Sequence, residues 1–292
     1  MIRVRCPASC GEIFQGPVDR EQVLISYAID LYSQVSLERG KRKGDEDDLK
    51  VHHKAYHAME ETLKHFDLPG KSLKDYRLRI HSDIPRGKGM ASSTADVAGA
   101  IILSAKILRC PMTEDLLGEI AAKVEPTDST LFSKLSLFNS SSGRRIQSYG
   151  PYPKGRVLVL EGLGTVDTLE YHQKHREGKP QQRADTEAFK AWEKRPDKLS
   201  LRELARLATI STRAHQRVLP KPGVEKIIEA STLFGAYGVN TAHSGSVLGI
   251  LYEEGRFQKE GFLKIFQREG LRNHYPILRD HRLIPGGIQW ME

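Results

Sequence analysis

Apolar and polar positions change their period several times along the chain. From Ile2 the stretch IRVRCPASCGEIFQG alternates, and residues 23–37, VLISYAIDLYSQVSL, follow with β-branched and aromatic enrichment; both segments predict strands. The charged run over residues 39–50, RGKRKGDEDDLK, predicts a solvated loop. Ala55, Met59, Leu63 and Phe66 then fall at helical spacing, and the segment LPGKS closes that helix. Tyr76, Leu78 and Ile80 alternate with Arg77, Arg79 and His81, the period of a half-buried strand that delivers the chain into PRGKGMASST.

After that turn, ADVAGAIILSAKIL and MTEDLLGEIAAKV read as helices, and STLFSKLSLFNSSSGRRIQSYG mixes short strands with polar turns. GRVLVLEGLG predicts a strand that opens a second domain, which divides the chain into residues 1–154 and 155–292. Residues 168–196 are polar and charged and predict an exposed excursion. SLRELARLATISTRAHQRVL, with Ser200 as its N-cap, PGVEKIIEASTLF and GRFQKEGFLKIFQREG predict three further helices, and SVLGILYE a buried strand. Strands and helices mix without regular alternation, so the expected class is α+β, and no internal repeat is present.

Composition narrows the functional classes. Over 292 residues, 39% hydrophobic and 28% charged content describes a folded globular chain. Lys and Arg number 45 against 37 Asp and Glu, a net charge of +8. That balance suits an anionic small molecule and equally a solvated basic surface. Clustered aromatic–basic repeats are absent, so nucleic acid is not an expected partner. The N-terminus lacks a signal-peptide core and no run approaches the roughly 18 apolar residues of a membrane span, so no membrane partner and a cytoplasmic location are expected. Nothing in the pattern sets an oligomeric state. Cys6, Cys10 and Cys110 form no C-x-x-C pair and read as packing thiols. His52, His53 and His57 read as a solvated helix face, and Arg144 and Arg145 either meet a substrate carboxylate or lie on the surface.

The stretch PRGKGMASST is the chief candidate for chemistry. A loop of small residues that opens a helix points successive backbone N–H groups at the positive end of the helix dipole, which is an anion site; the same pattern also makes a plain tight turn. The common nucleotide signatures are missing. GKS at residues 70–72 has His65 where a P-loop needs its first glycine, and Gly87 and Gly89 are followed by Ser92 where a dinucleotide fingerprint needs glycine.

The segment IPRGKGMASSTA resembles the phosphate-binding motif of the GHMP kinases, P-x-x-x-G-L-x-S-S-A, through Pro85, Gly89, Met90, Ser92 and Ser93. Thr94 stands where alanine is usual, and Ala91 where glycine is frequent. CPASCGEIFQG resembles the family's N-terminal motif through Pro7, Gly11 and Glu12, and GVNTAHSGSVLGILY its C-terminal glycine-rich motif through Ser244, Gly245, Ser246 and Gly249. The resemblance implies a two-lobed α+β fold, with a ribosomal-protein-S5-domain-2-like N-terminal lobe and a ferredoxin-like C-terminal lobe. It implies ATP held by Pro85, Arg86, Gly87, Lys88, Gly89, Met90, Ala91, Ser92, Ser93 and Thr94, Mg²⁺ on Ser93 and Glu125, and Asp128 as the catalytic base. Within the family the combination PASCGEIFQG, GMASSTAD and EPTDST resembles the L-threonine kinases of cobalamin synthesis. This implies L-threonine as the small-molecule substrate, with Ser9, Glu12, Gln15, His243 and Ser244 as candidate contacts. A homoserine or isoprenoid-pathway kinase and a non-catalytic ligand-binding protein of the same fold are the alternatives.

Overall fold

The computed structural model describes residues 1–18, 21–40, 52–68, 73, 75–165, 190 and 200–292. The expected loop beyond residue 40, the end of LPGKS and, apart from residue 190, the excursion over residues 168–196 lie outside the described residues.

Long alternating segments at the N-terminus pair as a hairpin. Strand β1 (Ile2–Val18) runs antiparallel to β2 (Glu21–Arg39), from Val18 opposite Glu21 to Ile2 opposite Leu37. Register shifts fall between Pro7 and Ala8, Ser9 and Glu12, and Glu12 and Phe14, so the N-terminal motif sits where the strand is bent. Helix α1 (His53–His65) leads to β3 (Tyr76–Ser82), which pairs with the far end of β2. Helix α2 (Ser92–Leu108) is apolar on nearly every face and is correspondingly buried, and α3 (Glu114–Val124) starts at Thr113, whose side chain accepts from the Leu116 amide. A short 3₁₀ turn, Ser129–Leu131, precedes β4 (Ser136–Asn139) and β5 (Arg145–Ser148).

The second half runs β6 (Arg156–Glu161), α4 (Leu201–His215), α5 (Val224–Leu233), β7 (Gly238–Thr241), β8 (Val247–Tyr252), α6 (Lys259–Arg268), β9 (Ile277–Ile284) and β10 (Gln289–Trp290). Ser200 caps α4 in a reciprocal capping box with Glu203, as its position before the periodic run predicts. All described pairings are antiparallel, in the order β10-β1-β7-β8-β6-β9-β2-β4-β5, with β3 also on β2 and β1 also on β2. The sheet therefore crosses the expected boundary between residues 154 and 155 without a break. Two large apolar clusters pack against it, with a small third one of Leu24, Phe132 and Phe138. One joins β1, β2, α1, α2 and α3 to α4; the other is built wholly from residues 158–275, around Phe262, Phe266 and Tyr275.

Candidate active site

Three glycine-bearing segments meet at one point of this sheet. At Gly89, φ is +78°, a left-handed conformation, and an added Cβ would lie 2.5 Å from the Ala242 Cβ and 3.0 Å from the Gly245 Cα. At Gly245 a Cβ would lie 2.2 Å from the Lys88 carbonyl oxygen. The Lys88 carbonyl accepts from the Ser246 and Val247 amides at 3.0 and 3.3 Å, and the Met90 carbonyl accepts from the Ser9 amide at 3.1 Å. The turn between β7 and β8 and the bent part of β1 thus clasp the loop of residues 85–91 from behind. Met90 anchors its side chain in the core. Among the described residues, the amides of Gly87, Gly89 and Ala91 donate to no protein group. They precede the positive end of α2, as an anion cup requires.

Hydroxyl side chains crowd the start of α2, yet none of them caps it. Its N-cap is Ala91, at φ 59° and ψ 28°, with no side-chain cap. Ser93 instead donates to Glu125 Oε1 through a short hydrogen bond.

In front of the loop lies a cleft of about 340 Å³, walled by Pro85, Arg86, Gly87, Gly89, Met90, Ala91, Ser92, Ser93 and Thr94, by Glu125, Thr127 and Asp128, and by Glu12, Gln15 and Ser244. Most of the candidate residues therefore share one cavity. Three do not line it. Lys88 turns its ammonium to the carbonyls of Gly162 and Gly164, at 2.6 and 3.0 Å. Ser9 is fully buried, and its Oγ has no hydrogen-bond partner among the described residues. His243 lies one layer behind Glu12.

Glu125 ends α3 and is buried, yet one cation faces it: Lys54 Nζ is 2.5 Å from Glu125 Oε2. A carboxylate and a hydroxyl are hard oxygen donors, the kind Mg²⁺ takes together with phosphate oxygens and water. No group of three or more His, Cys, Asp or Glu that could hold a metal exists among the described residues. Ser93 and Glu125 fit a magnesium ion shared with a polyphosphate, not a closed protein cage.

Asp128 caps the 3₁₀ turn, accepting from the Thr130 amide at 2.9 Å and, through a short bond, from Ser26 Oγ. Burial, reinforced by the charge of Glu12, pushes its carboxyl up from 3.8 to about 6, although the Ser26 and Thr130 donors oppose the shift. Glu12 Oε2 accepts from the His243 amide at 2.8 Å and lies 3.1 Å from His243 Nδ1. Desolvation, aided by the nearby Lys221 charge, lowers His243 to about 3. The imidazole is neutral, and the contact is a hydrogen bond from Nδ1–H, not an ion pair. Ser211 Oγ lies 3.2 Å from the other ring nitrogen, and the His215 ring sits 4.2 Å away, centroid to centroid, tilted by 45°. Lys221, lowered by burial to about 8 and steadied by Glu12, donates to the Ala242 carbonyl at 2.6 Å.

Sequence reasoning passed over several residues here. Asp96 lines the cleft, accepts from Ser33 Oγ at 2.5 Å, and has its pKa raised by burial, with Arg86 opposing. Its signal was a lone carboxylate in an otherwise apolar helix. Lys54 carried no signal, since it sits among exposed polar residues. Lys221 and His215 belong to the second half of the chain and reach Glu12 and His243 only through the fold. The three cysteines are free, and Cys6 and Cys10 are buried, as packing thiols should be. Arg144 and Arg145 pair with Glu21, and with Glu114 and Asp115, away from the cleft.

The family model for the GHMP kinases N terminal domain matches residues 52–133. The chain is 34% identical to the L-threonine kinase of Citrobacter freundii over 99% of both chains. It is 32% identical to that of Salmonella typhimurium strain LT2, over 98% of this chain and 94% of the relative. Its fold is similar to the phosphomevalonate kinase of Streptococcus pneumoniae, solved with phosphomevalonate and AMPPNP, at a TM-score of 0.69 and 14% identity over 97% of this chain and 100% of that one. No helix among the described residues is long and apolar enough to cross a membrane. With the three motifs clasped around one cleft and full-length relatives above 30% identity, the chain belongs to the GHMP kinase family and is an ATP-dependent kinase acting on an alcohol.

Proposed function

We propose that the alcohol is L-threonine and that the reaction yields O-phospho-L-threonine and ADP. The similarity to L-threonine kinases over nearly the whole chain carries this reading, because it extends through the cleft-lining segments of both halves. Phosphoryl transfer needs little covalent chemistry from a protein; it needs reactants aligned and charge offset. The amides of the 86–94 segment would cradle the β- and γ-phosphates. Ser93 and Glu125 would hold Mg²⁺, which supplies charge neutralisation at the phosphoryl oxygens. Asp128, aimed by Ser26 and the Thr130 amide, would take the hydroxyl proton of threonine, and a carboxyl near 6 is ionised and ready at neutral pH. Glu12, Gln15 and Ser244 would surround the acceptor, with His243 and Ser9 supporting that wall from behind.

Two finer points belong to the same reading. The order β6-α4-α5-β7-β8-α6-β9, with strands side by side as β7-β8-β6-β9, supports a ferredoxin-like lobe over residues 155–292. The remainder, residues 1–154, would form the ribosomal-protein-S5-domain-2-like lobe. By the same resemblance, the product would serve as precursor of the aminopropanol linker of cobalamin.

The deciding experiment is ADP release with L-threonine, L-serine, L-homoserine and mevalonate side by side. Threonine should give the highest kcat/KM. Serine should follow as a slow substrate, because one methyl in a pocket discriminates by only about 1–3 kcal/mol. Turnover with homoserine or mevalonate and none with threonine would overturn the reading.

A further inference from the structure

We infer that Gln15 selects acceptors with a free α-ammonium, its side-chain carbonyl accepting an ammonium N–H; the inference rests on the L-threonine reading above. The register of β1 on β2 sets Glu12 opposite Ser26 and Gln15 opposite Leu24. Ser26 and Leu24 are two apart on one strand and share a face, and cross-strand partners share it with them. That face belongs to Asp128, which Ser26 holds, and Glu12, Gln15, Leu24 and Asp128 all line the cleft.

Within this wall, Gln15 Oε1 is shielded from solvent and has no hydrogen-bond partner among the described residues. Native proteins rarely leave a buried carbonyl without a donor, and one that lines a substrate cleft is most simply completed by the substrate. Its neighbours decide the donor. Glu12 and Asp128 set two carboxylates at this end of the cleft against one cation behind it, Lys221, whose ammonium donates to the Ala242 carbonyl, and the histidine bonded to Glu12 adds no charge. A carboxylate would be repelled there, whereas an ammonium brings both positive charge and N–H donors. Leu24, backed by Phe132 and Phe138, offers apolar contact beside it for the acceptor's carbon chain.

The test compares L-threonine with its des-amino analogue, 3-hydroxybutanoate of matching configuration at C3, by ADP release from the wild type and from the Gln15→Leu and Gln15→Glu variants. The wild type should prefer threonine. Gln15→Leu should shrink the threonine-to-analogue ratio of kcat/KM by on the order of 10–100-fold, mainly through KM, the scale of a hydrogen bond to a charged group. Gln15→Glu keeps an acceptor at the same reach and should retain the preference. An unchanged ratio in Gln15→Leu, or equal loss in both variants, overturns the assignment. ATP binding by calorimetry shows that each variant is folded; should Gln15→Leu fail to bind ATP, equal wild-type kcat/KM for threonine and the analogue would overturn it. A wild type that turns over another acceptor and not threonine defeats the parent reading, and is recognisable before any variant is made.

Discussion

Asp128 is at once a hydrogen-bond acceptor and a buried acid, and the two conditions oppose each other. Because its carboxyl is shifted from 3.8 to about 6, the folded state holds the proton more tightly than the unfolded chain does. The group therefore favours the fold at low pH, and that contribution is lost as pH rises from about 4 through 6. At pH 7 the ionised form disfavours folding by about 3 kcal/mol, the equivalent of that shift. Asp128→Asn should thus melt higher than the wild type at pH 7, with the difference vanishing toward pH 4, while kcat falls on the order of 10²–10⁴-fold. Undiminished kcat would remove Asp128 from the chemistry, and the wild-type acid limb should lie near pH 6. Ala91 carries a different strain, an alanine at φ 59° where glycine rests without cost. Ala91→Gly should stay within about 1 kcal/mol of the wild type in denaturant unfolding, and Ala91→Val should lose about 1–3 kcal/mol.

At the level of elements, the site depends on the turn between β7 and β8 as much as on the loop of residues 85–91 it braces. Gly245→Ala forces a Cβ against the Lys88 carbonyl, and should cost about 1–3 kcal/mol and weaken ATP binding, measurable by calorimetry. Unaltered ATP affinity would show that the loop holds its shape without this support. Elements with a clean period were legible before the fold was known: the alternation that became β3, the apolar run of α2, the Ser200 cap of α4, the buried strand β8. Strand β9 was not. Its sequence, ILRDHRLI, carries four charged or histidine positions, yet it lies between β6 and β2. Partners elsewhere in the chain make that tenable, since Asp280 meets Arg156, Lys259 and Tyr252, while Asp30 receives Arg282 and His281. Short-range pattern cannot register such pairs. The candidate site divides the same way: residues in the glycine loops were readable from local chemistry, whereas Lys54, Lys221 and His215 acquire their neighbours only through tertiary packing.

Across the whole molecule, the last strand returns to the first. β10 sets Trp290 opposite Val4 and Gln289 opposite Arg5, Arg5 Nε donates to Gln289 Oε1 at 2.7 Å, and the Met291 amide donates to the Arg3 carbonyl at 3.1 Å. Removing residues 289–292 should bare that edge of β1, lower Tm by about 2–6 °C and promote self-association, seen by thermal melting and size-exclusion chromatography. An unchanged melt would make the return strand ornamental. The close approach of Gly89, Ala242 and Gly245 reaches further. With hydrogen or methyl the largest group each position tolerates, bulk gained at one must be relieved at another. Substitutions at these three positions should therefore be inherited jointly among relatives, and a lineage with a large residue at one and no change at the others would have to hold this loop in shape by some other means.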